Sequence, residues 1–171
     1  EMLCWIRDPA NRGLVLHAAL AAFWQATQSH AGLIALAPPA LEAALATAVQ
    51  AGLAALDARR WRALPPPVAA AEADRLASVI LAWLDTIERP RPPFTVEQCE
   101  GTHALTLGDL EFRVRVDRID RLDTGGRAVI DYKAGRAVGP GQWFAPRPVG
   151  TQLGLYALAL DAESAGSAVR A

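Results

Sequence analysis

The sequence predicts an α/β or α+β fold, on three observations. Alanine-rich helical periodicity, punctuated by prolines, runs up to Glu88. It stops at Arg89-Pro-Arg-Pro-Pro93, and beyond that point apolar and polar residues alternate as in strands. A final helical stretch follows a proline-rich loop. The 171 residues fit one domain able to bury a substantial core, with a helical part over about residues 8–88 and a strand meander with its closing helix over about 94–163.

Asp8-Pro9 is a helix opening, a cap followed by proline at the first helical position, and RGLVLHAALAAFWQATQ carries that helix to about Ser29. Pro38-Pro39 opens a second helix, about Leu41 to Trp61, closed by Pro65-Pro66-Pro67. In the third, Leu76, Val79, Ile80, Trp83, Leu84 and Ile87 recur at spacings of three and four, predicting one buried stripe. Trp24, Trp61 and Trp83 read as core, and His30 and His103 as surface or loop.

FTVEQCE and HALTLGD read as two short strands, and LEFRVRVDRIDRL as a clear one. A turn at Asp123-Thr124-Gly125 returns the chain as RAVIDYK, and TQLGLYALALDAE reads as the last helix. Loop length fixes which side chains share a face. A three-residue loop with glycine at the left-handed position sets Asp117 opposite Asp131. It leaves Leu110, Phe112, Val114 and Val116 on a face with Ala128, Ile130 and Tyr132, and gathers Asp117, Asp131 and Lys133 on the other. Opposed carboxylates repel unless a cation lies between them. A divalent ion with oxygen ligands, Mg²⁺ or Mn²⁺, satisfies that need. A solvated row of mixed charge satisfies the same pattern.

The formal net charge of −1 argues against a generally basic nucleic-acid coat. The charge is uneven, however: Arg113, Arg115, Arg118, Arg121, Arg127, Lys133 and Arg136 lie close together. Lys133 is the only lysine among 17 basic residues. An ammonium is a compact charge that can hold or deprotonate a water, which a guanidinium cannot do. Cys4 and Cys99 lie far apart without metal-ligand spacing, which fits a reducing cytoplasm. No apolar run is long enough to span a membrane, and the opening residues lack a secretory pattern. The chain begins with Glu1 and reads as a piece of a longer protein.

The ordered set RGLVLHAALAAFW, VRVDRID, VIDYKAG and QLGLY resembles the RecB/AddB-type branch of the PD-(D/E)XK nuclease superfamily, including probable bacterial DNA repair proteins, from about Arg12 to Leu160. The resemblance implies a restriction-endonuclease-like α/β core, a central mixed sheet flanked by helices, with an additional alanine-rich helical segment. It implies a metal-dependent deoxyribonuclease of exonuclease type in DNA repair or recombination, acting on DNA in the cytoplasm with Mg²⁺ or Mn²⁺. Partners would be a helicase subunit or further domains of the same protein. Carried over by position, His17, Asp117, Asp131 and the Tyr132 carbonyl would hold the metal, and Lys133 would activate the attacking water beside Asp117 and Asp131. Gln152 and Tyr156 would support the site and touch DNA. Arg118 is the strongest candidate for a phosphate contact, and Glu100 corresponds to an acidic residue on the preceding strand. Val114 stands where the family pattern has glycine, a change of backbone packing more than of chemistry. With only two cysteines, no iron–sulfur cluster is expected. The alternative is a catalytically inactive nuclease-fold module that binds DNA or a helicase.

Overall fold

The computed structural model describes residues 9–56, 65–107, 109–133 and 152–168. Cys4, Asp8, Trp61, Arg136 and Trp143 lie outside them. Helix α1 spans Pro9–Thr27, α2 His30–Ala35, α3 Pro38–Ala54 and α4 Pro66–Trp83, and α4 continues as a π-helical turn over Leu84–Glu88. Strands β1 (Phe94–Leu107), β2 (Leu110–Leu122) and β3 (Arg127–Ile130) follow, then α5 (Gln152–Ala168). The described strands form one antiparallel sheet in the order β1-β2-β3. The mixed character expected of the sheet is therefore not represented among the described residues.

Local chemistry accounts for the boundaries. Ser29 caps α2, its hydroxyl accepting the Gly32 N–H at 3.0 Å. Prolines occupy the first turns of α3 and α4, where the absent N–H costs nothing. The triple proline thus opens α4 rather than only ending the helix before it. Gln28 leaves α1 in the left-handed region, at φ 63°, and its carbonyl accepts the Val96 N–H at 2.8 Å, which ties the helix end to the start of β1.

Two apolar clusters occupy the two faces of the sheet. One joins α1, α3 and α4 through Trp24, Leu45, Val49, Leu76 and Ile80 to Phe94 and Tyr132. The other packs Tyr156, Ala159 and Leu160 of α5 against Leu105, Val114, Val116 and Ile119. The adjacent residues Val129 and Ile130 go to different clusters, as alternation along a strand requires. Helices α1 and α3 approach closely at Gly52, where a Cβ would lie 2.6 Å from the Val15 carbonyl oxygen and 2.8 Å from Ala19 Cβ.

Several sequence expectations are corrected. The two short strands before β2 are one, with a bulge between Val96 and Gln98 and a left-handed Glu100 at φ 55°. His103 lies within this strand and is buried, not on the surface. His30 is half-buried, and its Nε2–H donates to the Arg89 carbonyl at 3.0 Å. The stripe expected on α4 breaks, because a π turn carries one residue more than an α turn. Ile87 is left 44% exposed while Glu88 goes inside at 1%. Val79 is also exposed.

Candidate metal centre

The β2–β3 ladder pairs Arg121 with Arg127 and runs to Arg118 opposite Ile130. This is the register expected of a three-residue loop, and the ladder ends one step before the expected pair of Asp117 and Asp131. Gly125 and Gly126 supply the positive φ angles of that turn, and the Leu122 N–H donates to the Gly126 carbonyl at 3.1 Å. The expected shared face does not follow from this register. Val114 and Val116 pack toward α5, whereas Ile130 and Tyr132 pack toward α1 and α4. Leu110 and Phe112 are exposed.

The alternation along β2 breaks at Asp117-Arg118. Asp117 reaches His17 and Arg118 reaches Trp24, so two consecutive side chains contact α1. The break lies opposite Glu100, the left-handed residue of β1, which falls between the pairs Cys99–Arg118 and Gly101–Val116. Irregular strand geometry of this kind re-aims side chains.

His17 holds the centre together. Its Nε2–H donates to the Tyr132 carbonyl at 2.8 Å, and its Nδ1 lies 3.1 Å from Asp117 Oδ1. Both partners are acceptors, so an imidazole making both bonds carries two protons. The hydrogen bond that His17 donates to Asp117 raises the His17 pKa above 6.5 and outweighs burial, which acts the other way. The second Asp117 oxygen accepts the Tyr132 N–H at 2.7 Å.

Glu100 completes a group with His17 and Asp117 in which the possible ligand atoms lie within 4.8 Å of one another. Arg115 pairs with Glu100 at 2.6 Å. Oxygen acceptors thus surround the His17 ring and favour positive charge there, whether a proton or a hard divalent cation carries it. The donor set of imidazole, carboxylates and a carbonyl fits such an ion. Asp131 is not a member of this group; its Oδ2 lies 2.6 Å from Lys133 Nζ, and both line the space between α1 and α4.

Helix α5 supports Lys133 from the other side, with Nζ donating to Gln152 Oε1 at 2.6 Å. One turn further along, Tyr156 is buried, and its pKa is raised by burial and by the charges of Asp131 and Asp117. The spacing of Gln152 and Tyr156 brings both to the same centre.

Arg118 is corrected as a phosphate contact. It is only 1% exposed and stacks 4.1 Å from the Trp24 ring centroid. It donates to Glu88 at 2.9 Å, to Asp120 at 2.9 Å and to the Tyr132 hydroxyl at 2.9 Å. A guanidinium held in this way cannot reach DNA, and its contact with the Tyr132 ring is a supporting one. Arg91 joins the cluster on Glu88 at 2.8 Å and on Asp120 at 2.7 Å, so two cations face two carboxylates. Sequence reasoning did not find this cluster. Its members come from the end of α4, the following loop and β2, and no local spacing links them.

No helix among the described residues is long and apolar enough to cross a membrane. No curated protein and no solved structure matches the chain. The profile of the PD-(D/E)XK nuclease superfamily matches residues 6–171, nearly the whole sequence. With that match, the chain belongs to the PD-(D/E)XK nuclease superfamily, whose members are in general nucleases that use divalent metals.

Proposed function

We propose that this chain is a metal-dependent deoxyribonuclease domain of the RecB/AddB type, acting as an exonuclease in DNA repair or recombination. The observation that carries the reading is the meeting of His17, Asp117 and the backbone of Tyr132 from α1, β2 and the end of β3, with Asp131 and Lys133 paired on either side of Tyr132 in the chain. His17, Asp117, Asp131 and the Tyr132 carbonyl would hold Mg²⁺ or Mn²⁺, with Glu100 as a further neighbour. When bound, the ion supplies Lewis-acid polarisation of a phosphoryl oxygen and lowers the pKa of a water. Lys133 orients the attacking water and offsets charge developing on the phosphoryl oxygens. Gln152 and Asp131 hold the ammonium in position, and Tyr156 shields the two aspartates from bulk water. The cellular setting of this reading is the cytoplasm, with a helicase subunit or further domains of the same protein as partners.

The test is degradation of end-labelled linear DNA with Mn²⁺, comparing the chain with Lys133→Ala and Asp131→Asn. Cleavage by the parent that a chelator or either substitution abolishes supports the reading. Cleavage unchanged in both variants overturns it. Binding of DNA without cleavage by the parent would favour an inactive nuclease-fold module.

A further inference from the structure

A hollow of about 290 Å³ opens beside Lys133, between α1 and α4. Leu16, Leu20, Val79, Ile80 and Trp83 give it an apolar wall, and Arg12, Arg75, Asp131 and Lys133 also line it. On the other flank of α1, a wider cleft of about 610 Å³ is lined by Gly13, Ala18, Ala21, Gln25 and the His17–Glu100–Asp117 group. Positions 12, 16 and 20 of α1 line the hollow, and 13, 17 and 21 line the cleft. His17 lines the cleft and Tyr132 the hollow, so their hydrogen bond lies between the two spaces.

The hollow is near the lower end of the size range of small-molecule pockets, about 300 Å³. It has room for one planar heterocycle and none for a base pair. Its chemistry is apolar next to cationic. Val79 is 45% exposed on the wall, and Arg12, Arg75 and Lys133 are exposed cations, with Asp131 paired to Lys133 and Glu72 paired to Arg75. Arg75 also bonds Glu72, which steadies its guanidinium. Trp83 is held in place, its Nε1–H donating to Glu88 at 3.1 Å and its ring meeting Tyr132 edge-on. An apolar body carrying negative charge is what such a space selects, and a nucleotide has that form.

We propose that this hollow holds the unstacked base of the nucleotide next to the scissile phosphate, with Arg12 and Arg75 on the flanking phosphates. The proposal rests on the nuclease reading and extends it, making α4 part of the substrate site. A base must leave its stack to enter, which costs least at an unpaired end.

The test is the affinity, by fluorescence anisotropy in a chelating buffer, of a labelled single-stranded oligothymidylate. It is compared with an equally long strand whose every residue is an abasic tetrahydrofuran. Phosphate contacts are common to both strands, so the difference reads the bases alone. The thymidine strand is expected to bind about tenfold tighter, in keeping with one base held on an apolar and aromatic surface. Val79→Trp, which fills the hollow from an exposed position, is expected to remove that preference and leave abasic binding unchanged. Equal affinity for the two strands overturns the proposal without recourse to any variant. So does an undiminished preference in Val79→Trp with an unaltered urea midpoint. Cleavage is scored separately with Mn²⁺. A chain that cuts but ignores the bases keeps the nuclease reading and loses the hollow; one that prefers bases and cuts nothing does the reverse.

Discussion

Asp117 accepts the backbone N–H of Tyr132 at 2.7 Å, just beyond the last residue of β3. With the Tyr132 carbonyl on His17, both polar backbone groups of one residue are committed to the centre. The Tyr132 ring is fixed as well, its hydroxyl accepting from Arg118 and its edge lying against Trp83. The aspartate, tyrosine and lysine of this short motif therefore serve different ends. Asp131 pairs with Lys133, the tyrosine anchors the backbone, and the lysine is exposed to solvent.

Lys133→Ala is expected to lower kcat by about 10²–10³-fold, the usual cost of removing one preorganised donor from a developing charge. Because Lys133 is exposed, the urea midpoint should hardly move. Lys133→Arg should not restore the rate, since a guanidinium cannot replace a compact ammonium between Asp131 and Gln152. Single-turnover cleavage of a labelled oligonucleotide measures all three proteins.

Arg118→Met is expected to destabilise the fold by about 3–5 kcal/mol, because it leaves Glu88 and Asp120 buried with less compensation. Urea unfolding followed by tryptophan fluorescence reads the loss. DNA affinity of the folded variant should remain at the parent's value, the opposite of what a phosphate-binding arginine would give.

The same cluster sets a pH dependence. Burial raises the Glu88 pKa, but Arg118 and Arg91 outweigh it, so the net native value is below the ordinary 4.5. The unfolded state therefore binds the proton more readily. The contribution of this carboxylate is fully present above about pH 4.5 and is lost as pH falls through the native value. Urea midpoints from pH 7 down to pH 3 should drop more steeply in the parent than in Glu88→Gln, which is weaker at neutral pH.

Gly52→Ala is expected to cost about 1–3 kcal/mol, since the new methyl meets the Val15 carbonyl and Ala19 and forces α1 away from α3. His17 is carried by α1, so metal-dependent cleavage should fall with stability. Thermal unfolding and the cleavage rate, taken on the same sample, test both.

The parts of the site that lie on one hairpin were legible. The glycines after Asp123 marked the turn and the hairpin register, although the shared apolar face expected with it is absent, and the place of Gln152 and Tyr156 followed from the family resemblance. What was missed depends on backbone irregularity or distant partners. A left-handed Glu100 leaves no mark in residue type, so β1 read as two strands and the turn of Asp117 toward α1 was not foreseen. Arg118 looked like its neighbouring surface arginines because Glu88 is 30 residues away in sequence. The exposure of Leu110 and Phe112 depends on what packs against that end of β2, which alternation alone does not encode.

The π turn at Leu84–Glu88 sets a limit on chain length. Each residue of an α-helix advances the chain by about 100°. Deleting one residue in this turn would restore α geometry and leave Glu88 at the inward position that α spacing gives to residue 87, whereas inserting one would turn it about 100° away from Arg118 and Arg91. A residue added or removed ahead of Pro65 would leave that angle untouched. Insertions should therefore be tolerated on the N-terminal side of α4 and rejected across Leu84–Glu88, where a single deletion should be accommodated because the turn already carries one residue more than an α turn.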